Sequence, residues 1–325
     1  MTRSLKQNEQ ILAWAEEGLL APDQMSELDA QAPLFPAAAQ WRLLLERVAV
    51  TTGALLCGVG IIFFFAWNWA EMHRFAKFAL GLGALTGFTL LAVFAQPRSV
   101  LYRAALLGCC LITGAILALI GQTYQTGADV WQLFAIWALL IVPWAWPSGS
   151  AACWSLAWAV GNLALVLFLL QNQWQGLFAG LHGYQAILLL AAGNGAVILL
   201  FELFDRVLLA EPVRVLQRLA GWGVLTALGS GGAVAWWEAQ YLPVLLTFGL
   251  TAAVMLVFYL RQRRDLPILA MVLLWLIALG ASALTRLTFE ADDTFLMINV
   301  VALFVLIASA LSAVWLTRLS RESHR

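Results

Sequence analysis

The stretch Leu242–Leu284 reads LPVLLTFGLTAAVMLVFYL, then RQRRD, then LPILAMVLLWLIALGASAL. Each apolar run is 19 residues long, close to the roughly 20 that carry a helix across about 30 Å of hydrocarbon. Neither run contains Asp, Glu, Lys or Arg, and neither shows the period-two alternation of an outer-membrane strand. Arg261, Arg263, Arg264 and Asp265 fill the turn between them. A connection this short makes the two helices antiparallel neighbours, and its arginines mark a cytoplasmic turn. The pair sets the fold class as helical hairpins in a bilayer.

The rest of the chain follows the same pattern. Of 325 residues, 62% are hydrophobic and 11% charged, against about 45–50% and 25% in soluble domains. Apolar segments lie near 48–67, 75–95, 104–122, 131–146, 150–170, 184–204, 219–237, 242–260, 266–285 and 294–316. The expected fold is an all-α, polytopic membrane helix bundle of about ten transmembrane helices. Lys+Arg and Asp+Glu number 18 each, so no net positive field exists to hold nucleic acid. Four cysteines, all in apolar runs where a small hydrophobe is the expected role, argue against a disulfide-built secreted fold.

Ten crossings put both termini on one side. With that side cytoplasmic, Arg74, Lys77 and Arg286 face outward and the other fifteen of the 18 basic residues face inward. This asymmetry gives an N-in/C-in topology. Residues 1–47 are polar and mixed in charge. They read as a short cytoplasmic N-terminal helical hairpin, 4–17 and 22–31, with Pro22 at the first position of the second helix. The chain then divides into this hairpin with its linker (1–47), a four-span membrane unit (48–146), six further transmembrane helices (147–316) and a cytoplasmic tail (317–325).

Two stretches carry a resemblance. One runs from Gly53-Ala54-Leu55-Leu56 through Gly60-Ile61-Ile62-Phe63-Phe64-Phe65-Ala66-Trp67-Asn68-Trp69. The other runs from Gly114-Ala115-Ile116 through Ile120-Gly121-Gln122-Thr123-Tyr124 to Gly127, Asp129, Trp137 and Pro143. With the N-terminal hairpin they resemble an uncharacterised family of predicted bacterial membrane proteins, the domain of unknown function numbered 2157, over about residues 10–150. The resemblance implies a bacterial cytoplasmic (inner) membrane location and assigns no activity.

Under this topology the outward loops bring Asn68, Trp69, Glu71, Arg74, Gln122, Tyr124 and Asp129 to one face. Rings and amides suit a sugar, a peptide or a lipid headgroup; the competing reading is an aromatic belt at headgroup depth. Within the hydrocarbon, Asn162 and Asn194 fall at similar depth on consecutive antiparallel spans and are expected to hydrogen-bond. Asn299, a turn inside the last span, reads as the same kind of structural polar group. Glu202 has Arg206 four residues on as an expected partner. Gly83 and Gly87, and the run Gly229-Ser230-Gly231-Gly232, read as close-packing positions; the second also suits a helix unwound at a binding site.

No Gly-x-Ser-x-Gly, phosphate-loop or His-Glu-x-x-His pattern occurs. Neither a catalytic role, a cofactor nor a metal site is expected. The expected partners are the lipid bilayer, other membrane proteins or a second copy of the chain. Two functions lead: a non-catalytic accessory, scaffold or sensor with a polar-aromatic extracytoplasmic face, or a transporter or flippase of an uncharged or lipid-linked solute; a membrane enzyme acting at the outer surface with Glu71 or Asp129 as acid/base is a third and poorer reading. A water-accessible cavity beside Asn162, Asn194 or Gly229–Gly232 distinguishes the second from the first.

Overall fold

The computed structural model describes residues 11, 14–15, 17–21, 23–24, 38–67, 72–124, 127, 129–171, 183–211, 213–289 and 294–322. Two compact units divide the chain, 1–61 and 62–325. In the first, helical Trp14 and Ala15 end in a turn whose Gly18 takes φ 71°. There the Leu19 N–H donates to Trp14 O over 2.9 Å, a left-handed glycine close of a helix. The Gln24 side chain accepts the Ala21 N–H at 3.1 Å, as a residue of a capping box does at a helix start. The remainder of the expected hairpin lies outside the described residues.

From Ala38 onward ten α-helices occur among the described residues, which include no strand. They are α1 (Ala38–Trp67), α2 (Arg74–Phe94), α3 (Val100–Tyr124), α4 (Val130–Ser148), α5 (Ala151–Gln171), α6 (Gly183–Leu208), α7 (Val215–Val234), α8 (Leu242–Arg261), α9 (Leu266–Phe289) and α10 (Thr294–Glu322). Local chemistry sets several ends. Pro243 opens α8, where a missing N–H costs nothing. Asp265 precedes α9 and accepts the Ile268 N–H at 3.4 Å. Gly149 closes α4 at φ 54°, and its carbonyl accepts the Ala210 N–H at 2.9 Å. The interior prolines Pro143 and Pro147 sit in the last turns of α4 without ending it early.

Among the described residues, nine helices are long and apolar enough to cross a membrane, against the ten expected. The exception is α7, the helix expected at 219–237. Gln217, Arg218 and its glycines dilute its apolar character, because this helix faces protein on most sides rather than lipid. It packs against α5, α6, α8 and α9. Leu216, Ala220, Val224, Leu225 and Leu228 are buried, along with Gly221, Gly229, Gly231 and Gly232. Its register with α6 is antiparallel along its whole length: Gln217 meets Phe201, Gly223 meets Asn194, and Gly231 meets Ile187. Against α8, Gly221 meets Met255 and Gly231 meets Val244. Thus α7 lies alongside α6 from Gln217 to Gly231 and alongside α8 from Gly221 to Gly231.

Aromatic rings seated on glycine close the helix pairs. Phe88 of α2 lies on Gly108 of α3, Trp137 of α4 on Gly114 of α3, Trp275 of α9 on Gly229 of α7, and Phe304 of α10 on Gly280 of α9; a Cβ at any of these glycines would come under 3.0 Å from the ring. Indole N–H groups are used in the same packing. Trp137 donates to Cys110 O at 2.9 Å, and Trp154 to Leu208 O at 3.2 Å. Such bonds keep a bulky side chain inside without an unpaired donor. Gly83 and Gly87 behave otherwise: nothing lies within 4 Å of a Cβ at either. Their spacing suggests a contact stripe, but α2 turns Gly81 and Phe88 to α3 instead.

Two extended apolar cores form in the larger unit, beside a smaller cluster of Ala92, Ala105 and Leu106 where α2 meets α3. One joins α6–α9 around Leu225, Leu228, Val244, Phe248, Ile268 and Val272. The other joins α3–α5 to the adjoining ends of α6 and α7 around Cys110, Ile141, Ala145, Cys153, Phe201 and Leu216. By contrast, α10 packs on α9, and none of its described side chains is buried.

Candidate functional site

The residues expected on the outer face occupy helix ends. Asn68, Trp69 and Glu71 lie outside the described residues. Arg74 begins α2, exposed, with its guanidinium carbon 5.2 Å from the Phe75 ring centre. Beside it, the His73 imidazole accepts the Phe75 N–H at 3.4 Å and caps the helix. Gln122 and Tyr124 are exposed on the last turn of α3, and the Tyr124 ring lies 6.0 Å from that of Phe78 on α2. Asp129 precedes α4 without capping it; its carboxylate accepts from the Gln171 amide at the end of α5. The structure therefore joins Tyr124 to α2 and Asp129 to α5. Among the described residues no hydrogen bond or ring contact links these two pairs.

The intramembrane asparagines meet. Asn194 Nδ2 donates to Asn162 Oδ1 over 2.6 Å, and also to Leu190 O. Trp158 Nε1 donates to Asn194 Oδ1 at 2.9 Å, and Asn162 Nδ2 returns to Trp158 O. Three side chains of α5 and α6 thus satisfy one another. Gly223 of α7 makes room for them, since a Cβ there would stand 2.5 Å from Asn194 Oδ1. Asn194 is 1% exposed. Asn299 is exposed and donates to Phe295 O of its own helix at 2.7 Å. Thr89, Thr113, Thr285 and Thr288 also donate to carbonyls four residues back, an internal solution for hydroxyls in apolar surroundings.

The largest polar constellation is one the sequence reading did not assemble. At the arginine-rich end, Arg214 pairs with Glu202 and stands 3.0 Å from Asp265. Arg218 reaches Asp265 at 3.2 Å. Arg263 lies 3.3 Å from Asp205 and 3.6 Å from Glu202. The Tyr259 hydroxyl donates to Glu202 at 2.9 Å, and Arg214 stacks over its ring at 5.5 Å. The Asp265 side chain is 0% exposed.

Three acids and three arginines leave the cluster neutral, which is the condition for burying it. It ties the end of α6 to the start of α7 and to the α8–α9 turn. The expected Glu202–Arg206 pair does not form. Phe204 leaves helical geometry at φ −122°, ψ 16°, so the four-residue spacing no longer stacks the two side chains. One signal was present in the sequence: an Asp directly before Leu-Pro at an apolar run marks a helix N-cap.

Among the described residues, no group of His, Cys, Asp and Glu is placed to hold a metal. Cys109, Cys110 and Cys153 are buried as free thiols and Cys57 is exposed. Apolar grooves run along the helices. One, of about 470 Å³, is lined by Trp131, Ala135, Ala138, Gly161, Ala164, Leu165 and Phe168. Another, of about 390 Å³, is lined by Leu256, Leu260, Leu273, Leu311, Ser312 and Trp315. Neither contains Asn162, Asn194 or the α7 glycines.

Helices of this length and composition, packed glycine to ring, define a polytopic helical membrane protein. The model of one family, described as "Predicted membrane protein (DUF2157)", matches residues 12–154. The match bears out the resemblance read at about residues 10–150, and it runs from the N-terminal segment through α4 into the first turn of α5. No curated protein and no solved structure matches the chain.

Proposed function

We propose that the protein is a non-catalytic scaffold or sensor component of the bacterial cytoplasmic membrane. In this reading it crosses the bilayer ten times and keeps both termini in the cytosol. The observation that carries the proposal is the filled centre of α5–α9. Asn194 occupies the space over Gly223, Trp275 that over Gly229, and Ile187 with Val244 that over Gly231. A carrier needs its solute site near this depth, commonly at an unwound helix, whereas α7 is helical through Val234. The N-in topology places the neutral charge cluster, Arg261 and Arg264 on the cytosolic side. Gln122, Tyr124 and Asp129 then belong to the extracytoplasmic face offered to partners.

The test is aqueous access to the middle of the unit. With the four native cysteines replaced by alanine, Asn162→Cys is compared with Arg264→Cys for labelling by a water-soluble maleimide in open membranes. Maleimide reacts with the thiolate, which forms only where water reaches. A thiol at 162 that stays unlabelled while one at 264 reacts to completion agrees with the scaffold. Comparable labelling of both would replace it with the transporter or flippase reading.

A further inference from the structure

We infer that the groove between α8, α9 and α10 is a binding site for one anionic phospholipid, its chain against Leu256, Leu273 and Leu311 and its phosphate between Arg261 and Arg318. The groove wall is apolar apart from Ser312. Leu260 and Trp315 line its arginine-end mouth, and Leu316 and Leu319 hold α10 against the core that contains Tyr259, Ile268 and Leu269. At 1.5 Å per residue, Leu273 and Leu311 lie about 10 Å below Leu266 and Arg318 respectively. The groove therefore descends from the interface into hydrocarbon, as an acyl chain does. A tryptophan at the mouth sits at the depth where such rings meet headgroups.

Charge selects the headgroup. Arg214, Arg218 and Arg263 are neutralised by Glu202, Asp205 and Asp265. Arg261, Arg264, Arg318 and Arg321 are exposed, and no described carboxylate pairs with them. Arg261 follows Leu260 directly, and Arg318 stands one turn beyond Trp315. An excess of positive charge thus surrounds the mouth of an apolar groove, which is the complement of a lipid carrying an anionic head on apolar chains. The placement depends on the groove and on these arginines, not on which side of the membrane they face.

The full-length protein, purified in detergent, is equilibrated with equal amounts of dioleoyl phosphatidylglycerol and dioleoyl phosphatidylcholine, and retained lipid is read by native mass spectrometry. Wild type is expected to retain one phosphatidylglycerol in preference to phosphatidylcholine. R261Q/R318Q is expected to lower that preference by roughly fivefold per arginine, the factor one basic group near an anionic surface carries. R261K/R318K is expected to keep it. These side chains are exposed, so the variants leave the core intact, and an unchanged unfolding temperature verifies this. Equal retention of both lipids by wild type would overturn the proposal, as would an unchanged preference in R261Q/R318Q. So would displacement by glycerophosphoglycerol, which has the head without the chains, or a dimer that carries no lipid.

Discussion

A methyl group added at Gly229 would come under 3.0 Å from the Trp275 ring, while one added at Gly83 would meet nothing within 4 Å. Forcing atoms into a filled contact costs about 1–3 kcal/mol; an alanine in an open helical position gains up to about 1 kcal/mol in propensity. Gly229→Ala is therefore expected to destabilise the purified protein by at least ~1 kcal/mol, and Gly83→Ala to leave it unchanged or firmer. Unfolding in mixed detergent micelles, followed by tryptophan fluorescence, measures both. Equal effects would mean that ring-on-glycine seating does not hold the helices. The Asn162–Asn194 bond was legible because equal depth on neighbouring spans is a one-dimensional fact. Which glycines face a partner was not, because Gly83-x-x-x-Gly87 fixes a stripe on α2 and not the direction in which it points.

Among the elements, α7 shows why apolar content alone leaves nine candidate spans, although this helix lies antiparallel to α6 from Gln217 to Gly231. A helix surrounded by α5, α6, α8 and α9 has little need of large apolar groups, and its glycines admit the Asn194 amide, the Trp275 ring and the aliphatic side chains of Ile187 and Val244. Its first turn is held by charge. Arg214 and Arg218 converge on Asp265, and removing one partner of a buried pair typically costs about 3–5 kcal/mol because the remaining charge stays buried. Asp265→Asn is thus expected to destabilise by about 3 kcal/mol, the low end because Arg218 is partly exposed. Glu211→Gln, which breaks the pair with Arg103 at a carboxylate 53% exposed, should cost under about 1 kcal/mol. Chemical unfolding of both variants against wild type checks the difference; similar losses would show that the cluster does not clamp the α6–α9 ends. This constellation was illegible in the chain because its members span residues 202–265 and meet only once α6 departs from helical geometry at Phe204.

For the whole molecule, the class of fold was legible from run lengths and charge, since a bilayer imposes both. The outer face was less so. Gln122, Tyr124 and Asp129 sit near helix ends, yet Tyr124 meets α2 and Asp129 meets α5, pairings that depend on how hairpins pack rather than on loop composition. If α7 crosses the membrane together with its neighbours, the loops before and after it open on opposite sides. Val213 and Gln240 flank it and are exposed, which makes them the most direct probes. In a cysteine-free background, Val213→Cys and Gln240→Cys are treated with a membrane-impermeant maleimide in intact spheroplasts and again after permeabilisation. The thiol at 240 is expected to react in intact spheroplasts and the one at 213 only once the membrane is opened. Reaction of both from the same side would contradict the crossing, leaving α7 as a helix that enters the bilayer without traversing it.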